Sequence, residues 1–200
     1  MKTFRLGLTG SIGMGKSTTA AMFQAEGIPV WDADAAVHRL YAADGKAVAP
    51  LALIHPKAAG PDGINRAVLK DWISNDPSAL AQIEDVVHPL VAADRDAFAA
   101  QTTSDLLVFD IPLLFEKGTE TQMDATLLVT APADVQRARV LARPGMTEDQ
   151  FRLILSRQMP DAAKRARATH IVETLTTEQT RSYVQALIAH IRDRLRGHHA

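Results

Sequence analysis

The sequence predicts an α/β fold, a doubly wound parallel sheet with a helical insertion. Three observations carry that prediction. Continuous apolar runs alternate with helical stretches over most of the 200 residues, as strands covered on both faces and joined by crossover helices require. Between about 44 and 103 the alternation lapses into helical stretches broken by Pro and Gly. A glycine-rich turn stands between the first strand and the first helix, where a phosphate-binding turn belongs.

Taken in order, "FRLGLT" (Phe4–Thr9) reads as a buried strand and "KSTTAAMFQAEG" as a helix ending near Gly27. "IPVWD" is a second short strand, and "AAVHRLYAA" a second helix. In the insertion no strand is expected. "PDGIN" marks a turn, and Asp76 before Pro77 has the form of an N-cap with proline in the first helical position. "DLLVFD" at 105–110 and "ATLLVT" (Ala125–Thr130) are continuous apolar strands. "ADVQRARVLAR" is helical, and Thr147 with Gln150 forms a capping box that opens "EDQFRLILSRQ". "THIVE" is the last strand, and 177–196 a closing helix. This reading divides the chain into an α/β core, 1–41 and 104–200, and a helical insertion, 42–103.

Bulk composition narrows the function. The chain is 46% hydrophobic and 22% charged with net charge −1, which lacks the positive excess of a nucleic-acid binder. It has no cysteine, so disulfides and thiolate metal sites are excluded. "MKTFRLGLTG" has no apolar segment of signal-peptide kind and no run approaches a membrane span. A soluble cytoplasmic protein, a monomer or weak homo-oligomer, is the plain expectation. His198 and His199 are too few for a metal tract.

"GSIGMGKS" at 10–17 fits G-x-x-x-x-G-K-[ST]. In that motif the backbone of Gly10, Ser11, Ile12, Gly13, Met14 and Gly15 curls around phosphate oxygens. Lys16 reaches the β and γ phosphates, Ser17 ligates magnesium, and Thr18 continues the positive end of the helix. The loop therefore holds a nucleoside triphosphate, in a P-loop NTPase-type fold. No guanine-reading N-K-x-D is present, and the chain is short for a motor ATPase. A small-molecule kinase fits better.

Two further patterns suit that class. Arg137, Arg139 and Arg143 cluster late in the chain, and positive side chains closing over a moving phosphoryl group stabilise its charge. Arg139 and Arg143 are four apart and share a helix face, within a helical lid at about 137–165 that Pro144 and Gly145 could hinge. "VWDAD" puts Asp32 and Asp34 at the mouth of the second strand, on one side of the chain while it stays extended. A carboxylate there can take the proton of an attacking hydroxyl, although Asp32 can equally N-cap the next helix. On these residues alone a nucleoside or nucleotide kinase and an ATP-binding regulatory module both stay open.

"LTGSIGMGKST", "VWDADAAVHRL", "DGINRAVL", "HPL", "IPLLFE" and the "RxxxR…Q" of the lid together resemble dephospho-CoA kinases. The resemblance runs in order from Leu8 to about Glu173. It implies transfer of the γ-phosphate of ATP, with Mg2+, to the ribose 3′-hydroxyl of dephospho-CoA, the last step of coenzyme A synthesis. Carried over by position, it implies Asp34 as base with Asp32 in support, Lys16 and Ser17 in the usual loop roles, and Arg139 and Arg143 as lid arginines. Arg66, His88, Pro89, Leu113, Leu114 and Glu116 then fall where the family lines the acceptor pocket. Read without it, His88-Pro89 favours an extended boundary, Glu116 an exposed acid, and Asp110 a second magnesium-binding acid. Ser11 and Met14 occupy free positions of the motif where the family often has other small residues. Ala168-Thr169 and Thr174 stand where many members carry Ala-Asp and Asn.

Overall fold

The computed structural model describes residues 3–197; His198 and His199 lie outside the described residues. In chain order the elements are β1 (Phe4–Thr9), α1 (Lys16–Ala25), β2 (Val30–Asp32), α2 (Ala33–Tyr41), α3 (Val48–Ile54), β3 (Ala59–Gly60), β4 (Gly63–Ile64), α4 (Arg66–Asn75) and α5 (Ala79–Gln101). There follow β5 (Leu106–Asp110), β6 (Ala125–Thr130), α6 (Ala133–Leu141), α7 (Glu148–Ser156), α8 (Asp161–Arg167), β7 (His170–Glu173) and α9 (Thr177–Gly197). The main sheet has the order β2-β5-β1-β6-β7, and β1 pairs in parallel with both β5 and β6. The chain leaves β1 toward one side of the sheet and later crosses to the other. The end of β1 is thus the switch point, where such sheets bind ligands.

Two compact units share the chain: one runs up to Trp31 and from Thr103 onward, the other is Asp32–Thr102. In the first, every residue of β5 and β6 is buried, as their unbroken apolar runs demand. Leu6, Leu8, Val108, Leu127 and Val129 of the sheet join Phe23 of α1 and Val184, Leu187 and Ile191 of α9 in one core. Each such side chain stabilises by roughly 1.5–3 kcal/mol when removed from water.

The second unit has its own core of Leu40, Leu51, Leu69, Ile83 and Val87. Leu40 and the neighbouring Val37 and Tyr41 pack into it, so α2 belongs to this unit and the boundary falls at Asp32, not at 42. Arg39 of α2 also pairs with Asp94 of α5 at 2.6 Å.

The insertion contains strands where none was expected. β3 and β4 form an antiparallel hairpin around Pro61-Asp62, too short for any apolar period to announce. Gly63 has φ 99°, and a Cβ there would lie 2.1 Å from the Tyr41 carbonyl oxygen, so only glycine serves. Asp76 is not the N-cap of the next helix. Asp76 follows α4 as its C-cap and Ser78 precedes α5, the Asp76 carboxylate accepting from the Ser78 N–H at 2.8 Å. The bond from the Ser78 hydroxyl, with that from its N–H, lowers the Asp76 carboxyl pKa from its ordinary value. Nor is His88-Pro89 an extended boundary, for both lie inside the 23 residues of α5. The proline costs a helical hydrogen bond to residue 85, and Ile83, Val87 and the partly buried Leu90 and Val91 anchor the helix on either side of it. Among the described residues no helix is long and apolar enough to cross a membrane.

Candidate active site

The loop between β1 and α1 is built from its glycines. Gly13 and Gly15 have φ 78° and 89°, and Gly15 precedes α1 with no side chain capping that helix. The first N–H groups of α1 are therefore free to meet an anion. Gly13 lies flat on α6. A Cβ there would be 2.5 Å from Val140 Cγ2 and 3.0 Å from the Gln136 carbonyl. Gly13→Ala adds that clash to a left-handed backbone penalty of about 1–2 kcal/mol. It is expected to weaken ATP binding by about tenfold or more, read by calorimetric titration.

The rest of the chain braces this loop. Met14 is 3% exposed, and its Sδ accepts from the Ala131 N–H at 3.0 Å. Its carbonyl accepts from the Thr174 hydroxyl at 2.9 Å. The Ile12 N–H donates to Gln158 Oε1 at 3.1 Å, and the Ile12 carbonyl accepts from Gln136 Nε2 at 2.7 Å. Ser11 is buried as well. The two motif positions that look free in sequence thus both face the protein interior.

Lys16 begins α1, and its Nζ lies 2.5 Å from Asp110 Oδ1. Asp110 ends β5 and is 2% exposed. Parallel pairing of β5 with β1 brings the acid beside the loop, Asp110 standing opposite Leu8. Ser17 and Thr18 are exposed. Among the described residues no three His, Asp or Glu side chains cluster as a metal cage. The Ser17 hydroxyl and the Asp110 carboxylate are hard oxygens. They suit Mg2+, which takes one or two protein ligands and fills its shell with phosphate and water.

Beyond the loop opens a cavity of about 270 Å³ lined by Gly15, Thr18, Arg139, Arg143, Leu175 and Thr177 among others. Arg139 of α6 donates to the Thr174 hydroxyl at 3.0 Å and to the Thr174 carbonyl at 2.5 Å. Thr174 thereby links α6 to the loop. Arg143 lies past the end of α6, so the shared helix face is corrected: both arginines line one cavity, Arg143 from the following turn. The capping box of α7 forms as the spacing requires, and Arg137 crosses from α6 to Glu148 at 2.7 Å. Thr169 exchanges two hydrogen bonds with Thr126, which fastens the start of β7 to β6.

After β5, Leu114 is fully buried and fills the space over Gly7. It is core, which corrects its expected place on a pocket surface. Leu113 stays half-buried. Glu116 is not an exposed acid: its Oε1 accepts from the Met159 N–H at 2.8 Å and lies 2.9 Å from Lys164 Nζ. Lys164 is 0% exposed. Lys164 and α8 escaped the sequence reading, although Pro160-Asp161 is a helix-start signal that could have found them. Asp161 and Arg165 also join the Thr130 hydroxyl, pinning α8 to the end of β6.

In the second unit, Asp32 Oδ1 accepts from the Ala35 N–H at 2.8 Å and caps α2. Because the helix starts at Ala33, Asp34 sits in its first turn, and residues two apart on a helix do not face each other. The shared side expected for the two acids is therefore corrected. Asp34 is exposed. Arg66 opens α4 with its guanidinium 5.5 Å from the Tyr41 ring centre. Burial raises the Tyr41 hydroxyl above its ordinary pKa, with Arg66 opposing. His88 is largely exposed, 3.9 Å from Glu84.

A phosphate loop at the switch point of a parallel sheet, with an acid beside its lysine and arginines beyond, defines a P-loop kinase. The family model for dephospho-CoA kinase matches residues 4–179. A dephospho-CoA kinase of Cereibacter sphaeroides is 64% identical over 96% of this chain and 98% of its own. The crystal structure of a Thermus thermophilus protein superposes with TM-score 0.85 at 34% identity, covering 95% of this chain and 98% of that one. A dephospho-CoA kinase from Campylobacter jejuni shares the fold at TM-score 0.68 and 20% identity, over 94% and 96% of the two chains. The chain belongs to the dephospho-CoA kinase family.

Proposed function

We propose that the chain transfers the γ-phosphoryl group of ATP to the ribose 3′-hydroxyl of dephospho-CoA by direct in-line displacement. The family match across nearly the whole chain, with Lys16 and Asp110 paired at the loop, carries this reading. The backbone of 10–15 and the start of α1 hold the phosphates. Lys16 draws charge off the β and γ oxygens, and Arg139 and Arg143 stabilise the moving group from the lid. Asp34 takes the hydroxyl proton, while Asp32 supports it by capping the turn that carries it. Arg66, His88, Pro89 and Leu113 contact the acceptor, and Glu116 holds the loop after β5 through Met159 and Lys164.

Ser17 and Asp110 would hold magnesium, which when bound would supply positive charge against the phosphate oxygens. Asp110→Asn is expected to raise the half-saturating magnesium concentration by about 10–100-fold in an activity titration. An unchanged magnesium dependence leaves Asp110 as a counter-ion to Lys16 alone. The substrates are small cytoplasmic metabolites, and the chain works there as a monomer or weak homo-oligomer. Sedimentation is expected to give a single-chain mass at micromolar concentration.

The direct test follows ADP release with ATP and Mg2+, with and without dephospho-CoA, and checks the product mass. Release that depends on dephospho-CoA and yields coenzyme A is expected. Release indifferent to it overturns the acceptor assignment and leaves the P-loop reading standing.

A further inference from the structure

Two glutamines grip one residue of the phosphate loop from opposite sides. The Ile12 N–H donates to Gln158 Oε1 at 3.1 Å and the Ile12 carbonyl accepts from Gln136 Nε2 at 2.7 Å. The chemistry leaves no freedom in the amide orientations, because an N–H can meet only the oxygen and a carbonyl only the nitrogen. Gln136 is 6% exposed on α6, the helix that Gly13 packs against. Gln158 follows α7, and the next residue is itself tied down, the Met159 N–H to Glu116 Oε1 at 2.8 Å. Glu116 meets Lys164 in turn. One string of bonds therefore runs from the loop after β5, through Gln158 and Met159, to Ile12.

We infer that Gln158 and Gln136 are positioning residues for phosphoryl transfer, holding the Ile12 limb of the loop in register with the lid and with the loop after β5. They act through Ile12 and touch no reacting atom. The other limb is fixed separately, by Thr174 on the Met14 carbonyl and by α1 itself. Loss of the clamp leaves that limb in place, so kcat is expected to fall while ADP binding holds.

This inference rests on the ATP-dependent transfer proposed above. The test compares wild type, Gln158→Met, Gln136→Met and the double variant for kcat with dephospho-CoA, ADP affinity and melting temperature. Each single variant is expected to lose roughly 10–100-fold in kcat, since misplacement of about 1 Å costs that order, with ADP affinity unchanged and melting temperature lowered only by the few degrees that one lost hydrogen bond costs. The double variant is expected to lose no more than the worse single, because both bonds hold one residue. Unchanged kcat, or a loss of kcat that only tracks ADP affinity and melting, overturns the inference. Where one variant does not fold, the other carries the same comparison from the opposite side of Ile12. A wild type that makes no coenzyme A instead defeats the functional reading, a distinct outcome.

Discussion

Asp34→Asn is expected to lower kcat for phosphorylation of dephospho-CoA by about 10²–10⁴-fold, the contribution of a positioned general base. The substitution keeps shape and removes only the proton acceptor. Its structural cost is small. Asp34 is exposed in the first turn of α2, where a carboxylate favours the helix by roughly 0.3–1 kcal/mol, and the cap itself comes from Asp32. Melting temperature should barely move. Affinity for ATP should hold too, since the phosphate loop is built from other residues. Near-normal turnover in the folded variant removes Asp34 from the mechanism. Asp32→Asn, which keeps an acceptor oxygen for the Ala35 N–H, is expected to cost less.

Glu116→Ala is expected to be the most damaging change for stability. Lys164 has no exposed surface, whereas the Glu116 side chain is 14% exposed. Deleting the acid strands a buried ammonium and the Met159 N–H together. Breaking a buried pair in this way costs about 3–5 kcal/mol, and in a chain of this size 1 kcal/mol moves the melting temperature by roughly 2–4 °C. A fall of roughly 6–20 °C by circular dichroism is therefore expected. Lys164→Met should be milder, because it leaves a partly exposed acid still accepting from Met159. If Glu116→Ala melts like wild type but raises KM for dephospho-CoA, Glu116 is an acceptor contact and not a buttress.

Local spacing carries far in this chain. The strand-loop-helix around 10–17 is legible because glycine order and the lysine must follow one another for a backbone to wrap a phosphate. The strands at β5 and β6 are legible because full burial demands unbroken apolar runs, and the capping box because its two partners are three residues apart. The failures share a cause. Pro89 inside α5 depends on packing along a long helix, and β3 and β4 are too short for any period to show. The residue before α5 is Ser78 and not Asp76, whose carboxylate is taken up by the Ser78 N–H and hydroxyl.

What binds the site together lies beyond any local window. Lys16 and Asp110 are 94 residues apart, and Gln158 lies 146 residues from Ile12. The sequence by itself determined that a triphosphate loop follows the first strand and that acids follow the second. Which acid stands beside the lysine, which threonine answers Arg139, and which glutamines hold Ile12 were decided by the tertiary structure. Those contacts depend on strand order and helix docking, set by the burial of whole faces at once and not by the neighbours of any one residue.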